Sequence, residues 1–478
     1  MQLRIGPCST PEFVIAKEQC ERAIRGIVRQ IAMFYYAALL YEEGGIMTDQ
    51  AQAVQTGSYK FQHTPAYSWW VLVVSMLCFM CFFIAMNATA VFGTLIQEDF
   101  GINATLLSFL STATMIAFCV FPTFTGTLFE KYGITTMVPI ALCMNILSGV
   151  LLFIPFFSDT YVGYIITRFI CGLTGCLNGP IAAHLCLWFP KNRAGFASGI
   201  LMGFLGVGFS VTAAIGPVLL NMGLSWQMAT AVMTIVPSAV MAIIFRLTVK
   251  DFKKVYPEAE TMGDLMPPVD ERVRSTRYDN EPKATSIKEM WRNKRVWCAA
   301  LMALFFTLPI YGLNYTLPLF FQNDIGLSLA VASSIVAATF IWKLLASPVG
   351  GAVSDIIFKG ERNQINMISA GLCGIFLLIL FFVAGSASVT VLTALSILAF
   401  FSASLYGGTL WTMPNDLADK KTAFAVSGFI VGISNIGAVL VQPICGMLID
   451  VTGTATSALL FIAIGVLFAI PLARGARI

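Results

Sequence analysis

The chain has 478 residues, of which 57% are hydrophobic and 11% are charged, and its mean hydropathy is +0.80. Soluble domains carry about 25% charged residues, so this composition excludes an ordinary water-soluble enzyme. The net charge of +4, from 29 Lys and Arg against 25 Asp and Glu, is too small to indicate a nucleic-acid partner. Most of the 12 Cys lie inside apolar runs, which indicates small buried residues and neither a disulfide framework nor a metal site.

The first 46 residues differ from the rest of the chain. Their apolar run, residues 31–41, is too short to span a bilayer and has no small-residue cleavage site after it. The acidic and glycine-rich stretch 42–46 precedes Met47, and codons for Glu-Gly-Gly can form a purine-rich bacterial ribosome-binding site. We therefore hypothesise that translation begins at Met47 in a bacterium; the alternative is an amphipathic helix on the cytoplasmic side.

Apolar runs of membrane-spanning length make up most of the remaining chain. A helix needs about 20 apolar residues to cross a bilayer, and twelve runs reach this length. They predict an all-α, polytopic membrane protein with twelve transmembrane helices. Numbered spans 1 to 12, the runs are residues 69–95, 104–125, 134–157, 160–186, 194–220, 226–247, 297–321, 328–349, 365–385, 388–410, 422–447 and 454–473.

The links between the runs alternate in charge. One set, which begins with the link at residues 97–99, contains no Lys or Arg. The other set is basic, and residues 246–296 alone hold 12 Lys and Arg. The positive-inside rule therefore places both termini and the long middle segment in the cytoplasm, as expected of a multi-pass protein of the inner (plasma) membrane.

The middle segment separates six spans from six. It is charged, contains four Pro within residues 257–282 and lacks a long apolar stripe, which is typical of a flexible linker. The predicted domains are a cytoplasmic tail of residues 1–68, a six-helix half of 69–247, a linker of 248–296, a second six-helix half of 297–473 and a cytoplasmic tail of 474–478.

The two halves carry an internal repeat. The sequence Glu-Asp-Phe-Gly-Ile-Asn at 98–103 matches Asn-Asp-Ile-Gly-Leu-Ser at 323–328. At the same offset, the segment that begins at Gly126 matches the one that begins at Gly351. Parallel six-helix halves with a cavity between them are a transporter architecture.

These motifs resemble those of the major facilitator superfamily over essentially all of residues 69–473. The family's loop after the second span, Gly-x-x-x-Asp-Arg/Lys-x-Gly, stands here as Gly126-x-x-x-Glu130-Lys131-x-Gly. The resemblance implies the major facilitator fold and a conformational latch, in which a carboxylate lies against a helix N-terminus or a cation. Glu130 replaces the family's Asp, and the basic pair that ends the family motif is missing. The second copy of the latch contains Gly351, Asp355 and Arg362.

Two cations lie inside the predicted spans, and neither Asp nor Glu lies near the middle of any span. Arg168 is in span 4 and Lys343 in span 8, and each costs about 2.5–3.5 kcal/mol on insertion scales unless it faces a cavity or a partner. We therefore expect a small anionic substrate, a carboxylate, bound by one or both cations. The alternatives are a structural Arg168, which is frequent in the family, and a Lys343 that extends toward the cytoplasmic face.

The surroundings of Lys343 are similar to span 8 of nitrate-type and oxalate/formate-type members of the superfamily, which place a cation there. The nitrate type has an Arg where this chain has Ser347. The oxalate type has a second Lys in span 11, where this chain has Asn435 and Gln442. The resemblance therefore assigns the chain to neither type.

Neutral polar residues complete the predicted substrate site. Asn87 in span 1, Tyr311 and Asn314 in span 7, and Asn435 in span 11 can hydrogen-bond a carboxylate. The resemblance places spans 1, 4, 7 and 10 around the cavity, which favours Asn87 and Asn314. For each residue, the alternative is a hydrogen bond that joins two helices.

The sequence leaves the energy coupling open. His184, near the inner end of span 4, is a candidate proton relay, and packing is its alternative role. Without a buried carboxylate, proton symport, exchange for a counter-anion and uniport all stay open.

Three functions fit a polytopic protein. The first is a secondary carrier of a small organic anion, which works as a monomer by alternating access and needs no cofactor. The second is an exporter of lipophilic or drug-like compounds, whose usual sign, a membrane-buried acid, is absent. The third is a membrane sensor or enzyme, for which the sequence offers neither a further folded domain nor a nucleophile–base or metal-ligand constellation.

Overall fold

The computed structural model describes residues 60–61, 63–266, 283–358, 361–410, 413–418 and 422–477. The hypothesised start at Met47 and the segment before it lie outside the described residues. Secondary structure in the described part is helical, apart from one isolated bridge between Ala284 and Ala418. The prediction of an all-α protein is confirmed.

Twelve helices within the described residues are long and apolar enough to cross a membrane, which confirms the predicted count. Large apolar side chains such as Leu247 and Phe382 are exposed on the outside of the bundle, as expected of a surface that contacts lipid. The spans are Ala66–Val91, Ala104–Tyr132, Ile134–Leu151, Tyr161–Trp188, Lys191–Asn221, Trp226–Thr248, Lys294–Asp324, Leu329–Ser354, Arg362–Val383, Val389–Leu410, Ala423–Thr452 and Thr456–Ala476.

Side-chain caps fix where several spans begin. The side chains of Asn103, Thr160 and Ser225 accept hydrogen bonds from backbone N–H groups in the first turns of spans 2, 4 and 6. Span 3 ends at Leu151, before the predicted end at 157, because a separate short helix begins at Pro155. Proline favours the first position of a helix, where its missing N–H is not needed.

The repeat seen in the sequence is also present in the backbone. Gly101 and Gly326 occupy the same place in the two copies, and both have a positive φ, of 62° and 75°. Residues with a side chain rarely adopt this conformation. Spans 2 and 8 begin at Ala104 and Leu329, directly after these turns. The same glycine turn therefore reverses the chain at the matching place in each half.

The two halves meet along two pairs of helices, span 2 with span 11 and span 5 with span 8. In the first pair, a Cβ atom added to Gly446 would come within 2.8 Å of the Ala104 carbonyl oxygen. In the second pair, Ser210 Oγ donates a hydrogen bond to Ala337 O at 2.8 Å. Small residues allow such close packing between membrane helices. We call these two contacts the 2–11 seam and the 5–8 seam.

The linker and both described chain ends lie at one end of the bundle, which we call the linker face. Phe61 N donates to Leu265 O at 3.1 Å, so the segment before span 1 contacts the linker. Arg295 Nε donates to Ala476 O at 3.1 Å, which joins the start of span 7 to the end of span 12. The other end of the bundle, which carries the glycine turns, is the opposite face.

Candidate functional site

Lys343 lies at the middle of span 8, where the helix is interrupted. The regular helix Leu329–Phe340 ends there, and a new helical segment begins at Lys343 after residues 341–342. The Lys343 side chain is 6% exposed. Its aliphatic stem rests on span 5, because a Cβ atom added to Gly206 would stand 2.6 Å from Lys343 Cβ. The 5–8 seam therefore holds a buried ammonium group near the centre of the molecule.

The ammonium group of Lys343 has neither a carboxylate nor another hydrogen-bond acceptor as a partner among the described residues. A largely buried charge without a partner is costly, since it has lost most of its contact with water. An anion from outside the protein would be strongly stabilised at this position.

Arg168 has a different environment in span 4. Its side chain is 3% exposed, and Nη2 donates to Ala85 O at 2.9 Å and to Met86 O at 3.0 Å, both in span 1. Its Nε is buried and has no hydrogen-bond partner within the described part of the chain. The guanidinium group thus binds two backbone carbonyls of span 1 through Nη2, and its Nε has no hydrogen-bond partner among the described residues.

A chain of contacts connects the two cations. Asn87 follows the carbonyls that Arg168 binds, and its Nδ2 donates to Phe209 O of span 5 at 2.9 Å. The Phe209 ring packs against Phe340 of span 8, with 5.5 Å between ring centroids. Phe340 lies one turn before Lys343. The structure therefore groups Asn87, Arg168 and Lys343 around spans 1, 4, 5 and 8.

Tyr311 lies in a part of span 7 that is not regular α-helix, and Asn314 follows it in the α-helical segment Leu313–Leu319. Two π-helical segments, Leu308–Gly312 and Phe320–Asp324, interrupt this span. Gln442 of span 11, which was not among the predicted site residues, donates from Nε2 to Tyr311 O at 3.4 Å. Such π-helical segments frequently occur at functional sites. Pro309 and Pro318 are the sequence signals for the irregularity.

Asn435 lies in a cleft between spans 2 and 11. Its backbone oxygen accepts a hydrogen bond from Cys119 Sγ at 3.8 Å. The cleft has a volume of about 460 Å³ and is lined mainly by apolar side chains, among them Ile116, Val120 and Ile436. These three side chains are exposed, so the cleft opens on the side of the bundle. Asn435 therefore contacts span 2 at the side of the bundle.

His184 lies near the linker face, in an aromatic cluster. Its Nε2 accepts a hydrogen bond from Trp188 Nε1 at 2.9 Å. The Trp188 ring packs against Tyr67, Phe252 and Tyr256, with 5.0 to 6.0 Å between ring centroids. These rings belong to span 1 and the linker. His184 therefore stands at a packed junction of span 1, span 4 and the linker.

The first copy of the predicted latch lies at the end of span 2. Lys131 is exposed, and its Nζ stands 5.1 Å from the centroid of the Tyr132 ring. The surroundings of Gly126 and the side chains of Glu130 and, in the second copy, Asp355 lie outside the described residues. The latch role of these residues stays a prediction.

In the second copy of the latch, a buried Arg forms an ion pair with an Asp whose side chain is 37% exposed. Arg362 is buried at the start of span 9, and its Nε donates to the carboxylate of Asp416 in the segment after span 10. A Cβ atom added to Gly351 would be 3.7 Å from Gly408 O, so span 8 also lies against span 10 here. Arg362 and Gly351 thus hold together helices of the second half at the linker face.

Two Asp residues at the opposite face were not among the predicted site residues. Asp99 accepts hydrogen bonds from Trp226 Nε1 and Gln227 Nε2, both at 3.0 Å, at the start of span 6. Asp324 accepts hydrogen bonds from two backbone N–H groups at the start of span 12, at 3.0 and 2.8 Å. Each Asp fastens the last span of its own half. The repeat in the sequence, which aligns these two residues, was the available signal.

Asp450 makes a similar contact, but between the halves. Its carboxylate, at the end of span 11, accepts hydrogen bonds from the backbone N–H groups of Ala104 at 2.9 Å and Thr105 at 2.8 Å, and from the Thr105 hydroxyl group. A carboxylate at a helix N-terminus satisfies unpaired N–H groups and interacts favourably with the helix dipole. The Tyr315 hydroxyl group of span 7 donates to Ala104 O. Spans 2, 7 and 11 are therefore joined at the opposite face.

Comparison with known proteins decides the family. A family model described as "Major Facilitator Superfamily" matches residues 75–441. The chain belongs to the major facilitator superfamily. The resemblance found in the motifs is confirmed, and so is the interpretation as a transporter and not an enzyme.

Relatives and solved structures agree with this assignment to the major facilitator superfamily. The "Probable sulfoacetate transporter" of Cupriavidus necator is 23% identical over 397 residues, which cover 80% of this chain and 88% of the relative. The "Probable galactarate/D-glucarate transporter" of Bacillus subtilis is 22% identical over 427 residues, which cover 84% of this chain and 90% of the relative. A solved D-xylose-proton symporter has the same fold, with a TM-score of 0.67 and 15% identity over 86% of this chain and all of that one.

Proposed function

We propose that this major facilitator protein transports a small organic anion by alternating access. The observation that carries the proposal is Lys343, a buried ammonium group at the 5–8 seam without a partner among the described residues. The names of the two relatives support the charge of the substrate, since sulfoacetate and glucarate are organic anions.

The charges and donors around the seam indicate how a carboxylate would bind. Lys343 supplies a full positive charge. Arg168 contributes its Nε, because Nη2 is already bound to span 1. Charge-assisted hydrogen bonds from an ammonium or guanidinium group to a carboxylate are among the stronger ones in proteins.

Buried acceptors indicate that the substrate also carries hydroxyl groups. Asn87 Oδ1, Asn314 Oδ1 and Gln442 Oε1 are buried and have no donor within the described residues. A carboxylate cannot satisfy them, since it only accepts hydrogen bonds. Hydroxyl groups of a bound molecule can donate to them. We therefore favour a hydroxylated carboxylate, a class that includes the galactarate and glucarate in the name of one relative.

The contacts between the halves support rocking as the transport movement. The opposite face is closed by Asp450 and by a hydrogen bond of 2.9 Å from Thr94 Oγ1 to Gln322 Oε1, which joins the short helix Gly93–Phe100 after span 1 to span 7. Both halves of the site belong to one chain, so a monomer suffices. A rocking step would break these opposite-face bonds and open Lys343 to that side.

We place the protein in a bacterial inner membrane with the linker face in the cytoplasm. The support is the basic linker and the lack of Lys and Arg in the alternate links. A green fluorescent protein fused after residue 478 is expected to fluoresce, and alkaline phosphatase fused there is expected to be inactive. Active phosphatase at that position would contradict the proposed orientation and place the linker face outside the cytoplasm.

The decisive test of the proposed function is Lys343→Gln. Loss of a charge-assisted hydrogen bond costs about 1.5–3 kcal/mol, so we expect the affinity for the anion to fall about 10- to 150-fold. Purified protein is first screened by thermal shift with sulfoacetate, glucarate, tartrate, nitrate and a neutral sugar. Uptake of the best ligand into proteoliposomes is then compared for the wild type and the variant.

Two further variants control this experiment. Lys343→Arg keeps the charge and should retain part of the uptake, whereas Lys253→Gln removes an exposed lysine of the linker and should have no effect. An unchanged KM and uptake in Lys343→Gln would remove Lys343 from the site. A thermal shift with the neutral sugar alone would contradict an anionic substrate.

A second function, export of lipophilic compounds, is favoured by the lateral cleft between spans 2 and 11. Its apolar lining and its opening on the side of the bundle suit a substrate that enters from the bilayer. The variant Val120→Trp would fill this cleft. Loss of drug efflux in this variant, together with unchanged anion uptake, would support the exporter; the anion carrier predicts no effect on either measurement.

A further inference from the structure

A surface at the linker face combines exposed cations with aromatic rings. The short helix Ile287–Arg292 precedes span 7 and exposes Lys288 and Arg292, which are four residues apart and therefore on one face. Lys294, at the start of span 7, is also exposed. The three cations have no acidic partner among the described residues.

Two tryptophans stand among these cations. Trp291 is 54% exposed, and Trp297 Nε1 donates to Trp291 O at 2.9 Å. Both rings pack against Phe429 of span 11, with centroid distances of 5.0 and 4.9 Å. These contacts hold the indole rings in place on the first turn of span 7 and on the helix before it.

The surface is anchored to the bundle on two sides. Met290, between the exposed Glu289 and Trp291, is buried. Arg295, one residue after Lys294, donates to Ala476 O at the end of span 12. The short helix therefore stands where a membrane span begins, at the level where aromatic rings and cations of membrane proteins meet lipid headgroups.

The acid within this surface is bonded to Thr285 and makes no ion pair with the cations among the described residues. Glu289 accepts hydrogen bonds from Thr285 N at 2.9 Å and from the Thr285 hydroxyl group at 2.6 Å. These bonds hold the pKa of the Glu289 carboxyl group below its usual value, so its charge is fixed at Thr285. The neighbouring Lys288 and Arg292 keep their charge available for an external partner.

We propose that Lys288, Trp291, Arg292, Lys294 and Trp297 form a binding site for anionic phospholipid headgroups in the leaflet at the linker face. The cations bind the headgroup phosphate, and the exposed Trp291 ring lies at the boundary between headgroup and acyl chain. The proposal is independent of the transported substrate, because none of these residues lies near Lys343 in the chain of contacts described above. A bound lipid would connect the linker to span 7 and stabilise the second half.

The test uses the purified full-length protein and thermal unfolding in mixed micelles. Phosphatidylglycerol is expected to raise Tm, and phosphatidylcholine with the same acyl chains is expected to raise it much less. The difference should shrink as salt is added, since exposed charges are screened. Inorganic phosphate at the same concentration should leave Tm unchanged, because it lacks the acyl chains that place the headgroup at Trp291.

Two double variants separate this site from general charge effects. K288Q/R292Q should lose most of the phosphatidylglycerol shift, and the matched K250Q/K253Q, which removes two exposed cations elsewhere on the linker, should keep it. Trp291→Ala should lose part of the Tm shift caused by phosphatidylglycerol. An equal shift in K288Q/R292Q and the wild type would overturn the proposal, and so would an equal effect of phosphatidylcholine or of inorganic phosphate.

Discussion

Arg168 and Lys343 are both buried cations, but their different surroundings give them different roles. The Nη2 of Arg168 is bound to two carbonyls of span 1, so it fixes spans 1 and 4 to each other whether or not a ligand is present. Lys343 makes no such bond within the described residues, and its aliphatic stem packs against Gly206 of span 5, which has no side chain. We infer that Arg168 mainly builds the site and that Lys343 mainly recognises the anion.

A variant of His184 can test whether a proton moves through the first half during transport. Its Nε2 accepts a hydrogen bond from Trp188, which requires a neutral imidazole ring. In His184→Gln the side-chain oxygen can accept the same bond but does not titrate between about pH 5 and pH 8. We therefore expect the variant to keep both its uptake and the pH dependence of uptake, measured in proteoliposomes with and without a pH gradient.

The contrary result would also be informative. If the wild type responds to a pH gradient and His184→Gln does not, His184 is a proton relay and its contact with Trp188 must open during transport.

At the scale of helices, Gly206 decides how closely spans 5 and 8 approach. A Cβ atom there would lie 2.3 Å from Phe340 O and 2.6 Å from Lys343 Cβ. The first neighbour is backbone, so the clash cannot be relieved by rotating a side chain. The interruption of span 8 after Phe340 and the missing side chain at Gly206 together shape the place where Lys343 lies.

Gly206→Ala is expected to separate spans 5 and 8 and to abolish transport. The matched control is Gly199→Ala in the same helix, where a Cβ atom would meet nothing within 4 Å. Since alanine is favoured over glycine in a helix by roughly 0.5–1 kcal/mol, the control should be as stable as the wild type or slightly more stable. Uptake and thermal unfolding of both variants check this. Normal uptake in Gly206→Ala would show that the 5–8 seam tolerates separation.

The sequence predicts those helices and turns whose cause is local, and it fails for features that arise from packing between helices. Apolar length predicts each span, and Gly101 and Gly326 mark the same turn in both halves. Pro309 and Pro318 signal the irregularity of span 7, but the break inside span 8 depends on packing between helices, and the apolar pattern does not record it. Among the site residues, Asn87 and Asn435 look alike in sequence, but the rotation of each helix places one beside Arg168 and the other in a lateral cleft.

For the molecule as a whole, several of the bonds that fasten the two halves to each other lie at the opposite face. Asp450 is separated in the chain from the helix that it caps by more than three hundred residues, so neither its spacing nor its neighbours in sequence reveal this role. Because span 2 belongs to one half and span 11 to the other, the strength of this cap contributes to the balance between the closed and open forms.

Asp450→Ala is expected to shift this balance toward opening at the opposite face. Loss of a helix cap costs about 0.5–2 kcal/mol, which corresponds to a change of about 2- to 30-fold in the equilibrium. Labels on unnatural residues at positions 159 and 386, both exposed at the opposite face, report the distance between the halves by electron paramagnetic resonance.

Asp324→Ala is the matched control for this measurement. It removes the same kind of cap within one half, so Tm should fall while the distance between the labels stays as in the wild type. Identical distances in Asp450→Ala and the wild type would show that the cap does not govern opening.

The duplicated halves are not fastened symmetrically. Span 2 receives the Asp450 carboxylate at its first turn, whereas Ser328, the residue that precedes its counterpart span 8, makes no side-chain cap. The 2–11 seam therefore carries a charged cap, whereas the 5–8 seam is held by close packing and by the hydrogen bond from Ser210 to Ala337. Opening at the opposite face has to detach a charged cap at only one of these two seams, so the 2–11 seam carries the larger share of the resistance to rocking.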